Sequence, residues 1–74
     1  MGSKSDLPAM EACIKQLEEF GVPYELVVAS AHRAPTKVRE WSSTAAERGI
    51  RVIIAAAGKA AHLGGVVAAY TPLP

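Results

Sequence analysis

The sequence predicts an α/β fold with a parallel sheet, and three observations carry that reading. Two apolar runs of strand length, Tyr24–Ala29 and Arg51–Ala57, alternate with three stretches of helical character. The second run, RVIIAAA, is apolar at consecutive positions, as in a strand covered on both faces. Glycines at 21, 49 and 58 separate the segments where turns belong. The resulting order, helix–strand–helix–strand–helix, calls for helical crossovers between parallel strands.

Each element has its own signal. Met10, Cys13, Ile14, Leu17 and Phe20 recur at helical spacing, with Glu11, Lys15, Glu18 and Glu19 opposite, so the first helix is expected from about Leu7 to Phe20. Ser5 or Asp6 would cap its first amides, Pro8 is tolerated in the first turn, and Gly21 suits its end. Tyr24–Ala29 (YELVVA) follows as a short strand between Pro23 and Ser30. A second helix is expected from about Pro35 to Arg48, with Val38, Trp41, Ala45 and Ala46 inward and Gly49 as terminator. After the strand Arg51–Ala57, a third helix is expected from about Ala60 to Ala69, before the Thr71-Pro72 and Leu73-Pro74 pairs.

Composition narrows the class. Half of the 74 residues are apolar, but 14 are alanine and only four are aromatic, a small-volume inventory for a core. Ordering such a chain costs on the order of 100 kcal/mol of conformational entropy. A domain of this size buries about 60 % of its unfolded surface. The expectation is a marginal domain, a piece of a larger one, or an obligate oligomer. The chain also opens on a polar loop and closes on prolines, where an α/β unit would have strands. Residues 1–74 are therefore read as an internal slice of a single domain.

Eight Lys+Arg against seven Asp+Glu leave a net charge of +1 and no basic stripe, so nucleic acid is not an expected partner. The single Cys13 excludes an internal disulfide and a multi-cysteine metal site, and it suits a reducing cytoplasm. No apolar leader is expected in MGSKSDLP. The apolar stretch Val52–Tyr70 is broken by Lys59, His62 and glycines at 58, 64 and 65, which argues against a membrane span.

Ligands of open α/β sheets bind beyond the carboxyl ends of the strands. Three segments would share that edge: Gly2–Asp6, Ser30–Arg33 and Ala57–His62. The first, at a helix start, is either an anion cradle or ordinary capping. His32-Arg33 joins a group that trades protons near neutral pH to a planar fork that fits phosphate, or else it is a solvated loop pair. His62 is a second polar group of the site or a structural histidine, and Lys59 faces solvent or an anion. Cys13 and Trp41 read as core. His32 and His62 share no spacing with a third donor, so no metal site is expected.

Three ordered motifs, Gly2-Ser3-Lys4-Ser5-Asp6, Ser30-Ala31-His32-Arg33-Ala34-Pro35 and Ala57-Gly58-Lys59-Ala60-Ala61-His62-Leu63, closely resemble signatures of the PurE family. These are the N5-carboxyaminoimidazole ribonucleotide mutases, also described as the catalytic subunit of phosphoribosylaminoimidazole carboxylase, of purine biosynthesis. Glu47-Arg48-Gly49 and Thr71-Pro72-Leu73-Pro74 fit intervening positions, so the resemblance covers the whole chain.

The resemblance implies a three-layer flavodoxin-like sandwich assembled as an octamer, acting without cofactor or metal on a ribonucleotide whose N-bound carboxylate moves to C4 of the imidazole, with CO2 released, held in the site and recaptured. His32 matches the family's general acid and base. Ser3, Asp6 and Arg33 match substrate-binding positions, with Ser5 and Ser30 in the same loops, and Ala57, Gly58 and His62 match the loop lining the imidazole and CO2 pocket. Alternatives are a non-catalytic ribonucleotide- or phosphate-binding fragment and direct carboxylation of aminoimidazole ribonucleotide. Relative to the family, Ala34 replaces a threonine, Gly64 a proline and Lys59 a second glycine. Lys59 on a loop near the substrate either adds an anion contact or obstructs the pocket. The family's first strand, before Gly2, and its half beyond Pro74 have no counterpart in these residues.

Overall fold

The computed structural model describes all residues 1–74. A single 3-10 turn at Lys4–Asp6 leads into α1 (Leu7–Glu19), followed by α2 (Pro35–Thr44) and α3 (Leu63–Tyr70). All three helices fall where periodicity places them, with shifted ends. α1 stops at Gly21, whose φ of 66° is the left-handed conformation that glycine adopts without a Cβ penalty. The turns after α2 stop likewise at Gly49, with φ 89°.

α2 is shorter than expected. The Thr44 hydroxyl donates to the Glu40 carbonyl at 2.8 Å, and Ala45–Gly49 continues as turns closed by bonds such as Arg48 N–H to Ala45 O at 3.1 Å. Val38 and Ala45 are buried and Trp41 is half-buried as expected, but Ala46 is exposed because it lies in these turns. α3 starts at Leu63, not Ala60. A turn closed by Ala61 N–H to Gly58 O at 3.1 Å occupies the residues ahead of it.

Neither expected strand forms. Tyr24–Ala29 and Arg51–Ala57 lack regular secondary structure. A strand exists through its ladder partner, and these two segments do not pair with one another. Met1 and Gly2 lie between them. The Met1 amino group donates to the Val27 carbonyl at 2.8 Å, and Ala29 N–H returns to the Met1 carbonyl at 2.9 Å, the alternation of a parallel pair centred on Val28. Gly2 N–H donates to the Ala56 carbonyl on the other side at 3.1 Å. One residue pair on one side and one bond on the other are too few for a ladder. Without it, the expected burial on both faces of Arg51–Ala57 fails: Val52 and Ile54 are 64 % and 56 % exposed, while Ile53 is half-buried.

The core is correspondingly small. Ala29, Val38, Leu63 and Val67 form one buried cluster, flanked by half-buried Val27, Ala31, Ile53 and Val66. It sits where α2 packs on α3. α1 buries no residue; Met10, Cys13, Ile14 and Leu17 instead line one side of an apolar groove of about 310 Å³ that also meets Val38, Trp41, Leu63 and Val67. Cys13 is half-buried on this stripe, as a small hydrophobe.

A polar network ties the end of α2 to the first apolar segment. Glu25 accepts from Trp41 Nε1 at 3.2 Å and from Arg48 Nε at 3.2 Å, and the Arg48 guanidinium lies 5.2 Å from the Trp41 ring centre. Ser42, one residue on from Trp41, is fully buried with no partner for its hydroxyl.

Candidate functional site

The three loops that the sequence assigns to one edge do converge. Gly2–Asp6, Ser30–Arg33, Ala57–Lys59 and Ala61–Leu63 line a single open cleft of about 790 Å³ on the polar side of the molecule. Ser3, Ser5, Asp6, Ser30, His32, Arg33, Ala57, Gly58 and His62 all belong to its wall. The stitching through Met1 and Gly2 achieves this, because it holds the ends of both apolar segments beside the start of the first loop.

The first loop is organised by its serines. Ser3 Oγ accepts the Ser5 N–H at 3.2 Å and lies 2.9 Å from Ser5 Oγ, and Asp6 N–H donates to the Ser3 carbonyl at 3.1 Å. The capping residue is thus Ser3, acting on the 3-10 turn; Asp6, at the start of α1, makes no side-chain cap. Its carboxylate is left for the cleft, and a Cβ added at Gly58 would stand 3.9 Å from Asp6 Oδ1. The first and third loops therefore approach closely at Gly58.

In the second loop, Ser30 Oγ accepts two backbone amides, His32 N–H at 3.2 Å and Arg33 N–H at 3.1 Å, while Ala34 N–H donates to the Ser30 carbonyl at 2.8 Å. Ser30 thus shapes the turn that presents the histidine and the arginine. The Arg33 side chain enters no hydrogen bond or ion pair within the chain; the Arg48–Glu25 pair is the ion pair the fold contains. A guanidinium on the wall of a cleft, charged and unpartnered, is suited to an anion.

The sharpest feature joins the second and third loops. His32 Nε2 lies 2.8 Å from His62 Nδ1, and the rings meet edge to face, with centres 5.0 Å apart and planes at 88°. One nitrogen donates and the other accepts, so at least one ring is neutral in this contact. The remaining nitrogens, His32 Nδ1 and His62 Nε2, stay free for other partners. Both rings are exposed. His62 occupies the N-cap position of α3 without a side-chain cap bond, its carbonyl accepting the Val66 N–H at 3.1 Å.

Sequence reasoning placed both imidazoles on one rim but did not pair them, since they are 30 positions apart. It gives no role to Lys4, within the first loop, and does not include Lys37; both line the cleft. Lys37 Nζ donates to the Val28 carbonyl at 2.9 Å. Its position one turn past Arg33, in the first turn of α2, was the available signal. No three His, Cys, Asp or Glu side chains gather closely enough to hold a metal ion.

Comparison with known proteins finds matches along the entire chain. The family model described as AIR carboxylase matches residues 1–74. An N5-carboxyaminoimidazole ribonucleotide mutase of Synechocystis is 60 % identical over 74 residues, covering 100 % of this chain and 42 % of its own length. Its counterpart in Pyrococcus horikoshii is 58 % identical, again over 100 % of this chain and 42 % of its own. A phosphoribosylaminoimidazole carboxylase of Candida glabrata is 58 % identical over the whole chain and 13 % of its own length. The chain thus spans less than half the length of these relatives. A family match from the first residue to the last, with the three loops gathered around one cleft, means that this chain belongs to the AIR carboxylase family.

Proposed function

We propose that this chain supplies the catalytic loops of an N5-carboxyaminoimidazole ribonucleotide mutase of purine biosynthesis, moving a carboxylate from the exocyclic nitrogen of the substrate to C4 of its imidazole. The observation that carries this reading is the His32–His62 contact at 2.8 Å on a cleft that also holds the free Arg33 guanidinium, the Asp6 carboxylate and the serine loops. The names of the Synechocystis and Pyrococcus horikoshii relatives supply the substrate.

The reaction balances with a single acid–base group. His32 in its protonated form delivers a proton to the exocyclic nitrogen as the N–C bond to the carboxylate breaks, releasing CO2 into the cleft. The electron pair of C4 then attacks CO2 and forms the new C–C bond. His32, now neutral, removes the C4 proton and restores aromaticity. One proton and one CO2 each change place, and nothing else is consumed. An imidazole can both donate and accept a proton, so one side chain serves both directions.

Arg33 and the Ser3–Ser5 loop bind the ribose phosphate in this reading, with Ser30 holding the turn that presents Arg33. Asp6 faces the ribose hydroxyls or the imidazole. Ala57 and Gly58 line the CO2 pocket with His62, which also orients His32. The finer architecture belongs to the same proposal: residues 1–74 as part of one flavodoxin-like α/β domain with a parallel sheet, assembled as an octamer and cytoplasmic. It is consistent with the absence of any helix long and apolar enough to cross a membrane and with the exposed apolar side chains Leu26, Val52 and Ile54.

The test is His32→Asn in the full chain, assayed with N5-carboxyaminoimidazole ribonucleotide and, separately, with aminoimidazole ribonucleotide and bicarbonate. Loss of about 10²–10⁴-fold in turnover is the expected result for an acid–base group. Unchanged turnover removes His32 from the mechanism. Activity only with the second substrate pair replaces the mutase reading with direct carboxylation.

A further inference from the structure

Lys59 stands at the corner of the turn closed by Ala61 N–H to Gly58 O at 3.1 Å. Its φ of 48° makes it the chain's one non-glycine residue in the left-handed region. Turn corners of this kind favour glycine, because a Cβ crowds the backbone there. A lysine held in that conformation carries a conformational penalty that its side chain does not offset, since its ammonium makes no hydrogen bond or ion pair within the chain. Outliers of this sort gather at ligand sites, where the strain is part of how the residue meets its ligand.

The surroundings identify the task. Lys59 lines the polar cleft together with Lys4, Arg33 and Lys37, and the cleft's single carboxylate is Asp6. The Lys37 ammonium is engaged by the Val28 carbonyl, whereas those of Lys4 and Lys59 are free. Four cations against one anion leave the cleft a surplus of positive charge in a chain whose net charge is only +1. Lys59 brings part of that surplus to the loop carrying Gly58 and leading to His62.

We infer that Lys59 is an affinity-determining residue of the cleft, its ammonium contacting an anionic group of the bound ribonucleotide. This rests on the function proposed above and assigns a binding contact to a residue that the reaction itself does not use. The shared chemistry is an oxyanion, either the ribose phosphate or the migrating carboxylate, and the two are separable. A phosphate contact weakens binding of both ribose 5-phosphate and the full substrate when the charge is removed. A carboxylate contact weakens only the substrate.

Three substitutions in the full chain separate charge from backbone. Lys59→Gln removes the charge and keeps a side chain on the strained backbone; Lys59→Gly removes both; Lys59→Arg retains the charge. The expected result is a rise of about three- to tenfold in KM for Gln and Gly alike, with kcat changed less than KM and Arg near the parent. The dependence of KM on salt should flatten in the two uncharged variants. Parent-like KM in Lys59→Gln overturns the proposal, and tighter binding in Lys59→Gly overturns it and makes the side chain an obstruction. Should the parent show turnover while all variants share its KM, the inference falls and the mutase reading stands. Should the parent show no turnover, calorimetric titration with ribose 5-phosphate and with 4-carboxy-5-aminoimidazole ribonucleotide, which carries both anions, decides Lys59, with equal affinities in parent and Lys59→Gln for both ligands rejecting it.

Discussion

Replacing Ser42 by alanine should stabilise this protein, against the usual direction of a mutation in a packed interior. Ser42 is fully buried within α2, and its hydroxyl has no hydrogen-bond partner. A hydroxyl taken out of water without compensation costs about 1–3 kcal/mol. Alanine is also the better helix former, by about 0.5 kcal/mol. Against these stand the dispersion contacts of a single oxygen, about 0.1–0.2 kcal/mol for each atom pair. The balance is a gain of about 1 kcal/mol in Ser42→Ala. In a domain of 60–100 residues this raises Tm by about 4–8 °C, and in one of 150–250 residues by about 2–4 °C. Differential scanning calorimetry of the full chain reads it directly, and urea denaturation gives the same quantity as a shift in midpoint at unchanged slope. A loss exceeding about 0.5 kcal/mol would refute the reasoning, because the hydroxyl must then have a partner whose bond outweighs its desolvation.

Two further predictions concern the surface. In Glu25→Gln the acceptor for Trp41 survives while the charge facing Arg48 is lost, so stability should fall by about 0.5–1 kcal/mol at low salt and by less at high salt. A deficit independent of salt in paired denaturation curves would assign the effect to packing. The Tyr24 hydroxyl donates to Glu18 Oε1 at 2.8 Å, which pushes its pKa above the ordinary 10.0, with desolvation and the nearby negative charge adding to the rise. Since the protonated phenol is favoured in the fold, its contribution to stability is complete below pH 10.0 and is lost as pH rises through the higher folded value. Ultraviolet titration of Glu18→Gln should show Tyr24 ionising at lower pH than in the parent; an unmoved midpoint would exclude Glu18 as the cause.

Local chemistry was legible in the sequence and long-range pairing was not. Met10, Cys13, Ile14 and Leu17 announce α1 because a helix satisfies its backbone within itself, and Gly21 and Gly49 fall in the left-handed conformation their positions called for. The strands depended on a partner elsewhere in the chain. YELVVA and RVIIAAA carry the right composition, yet composition does not provide a neighbouring backbone. Ends misjudged by a few residues have local causes that periodicity overlooks, such as the Thr44 hydroxyl returning to Glu40 and the Gly58–Ala61 turn ahead of α3. The three site loops were readable because each follows an apolar segment or opens a helix. The His32–His62 contact was not, since only the folded chain brings residues 32 and 62 within 2.8 Å.

The stitching at Met1 and Gly2 also sets how the cleft comes apart. Three backbone bonds, to Val27, from Ala29 and to Ala56, secure the first loop to the segments that lead into the second and third. Fraying at that seam therefore releases all three walls in one event, so binding competence should be lost as a unit and not loop by loop. The Ala29 and Gly2 amides become natural reporters: their hydrogen-exchange rates measure how often the cleft is dismantled, and any ligand bridging two of its walls should slow both together.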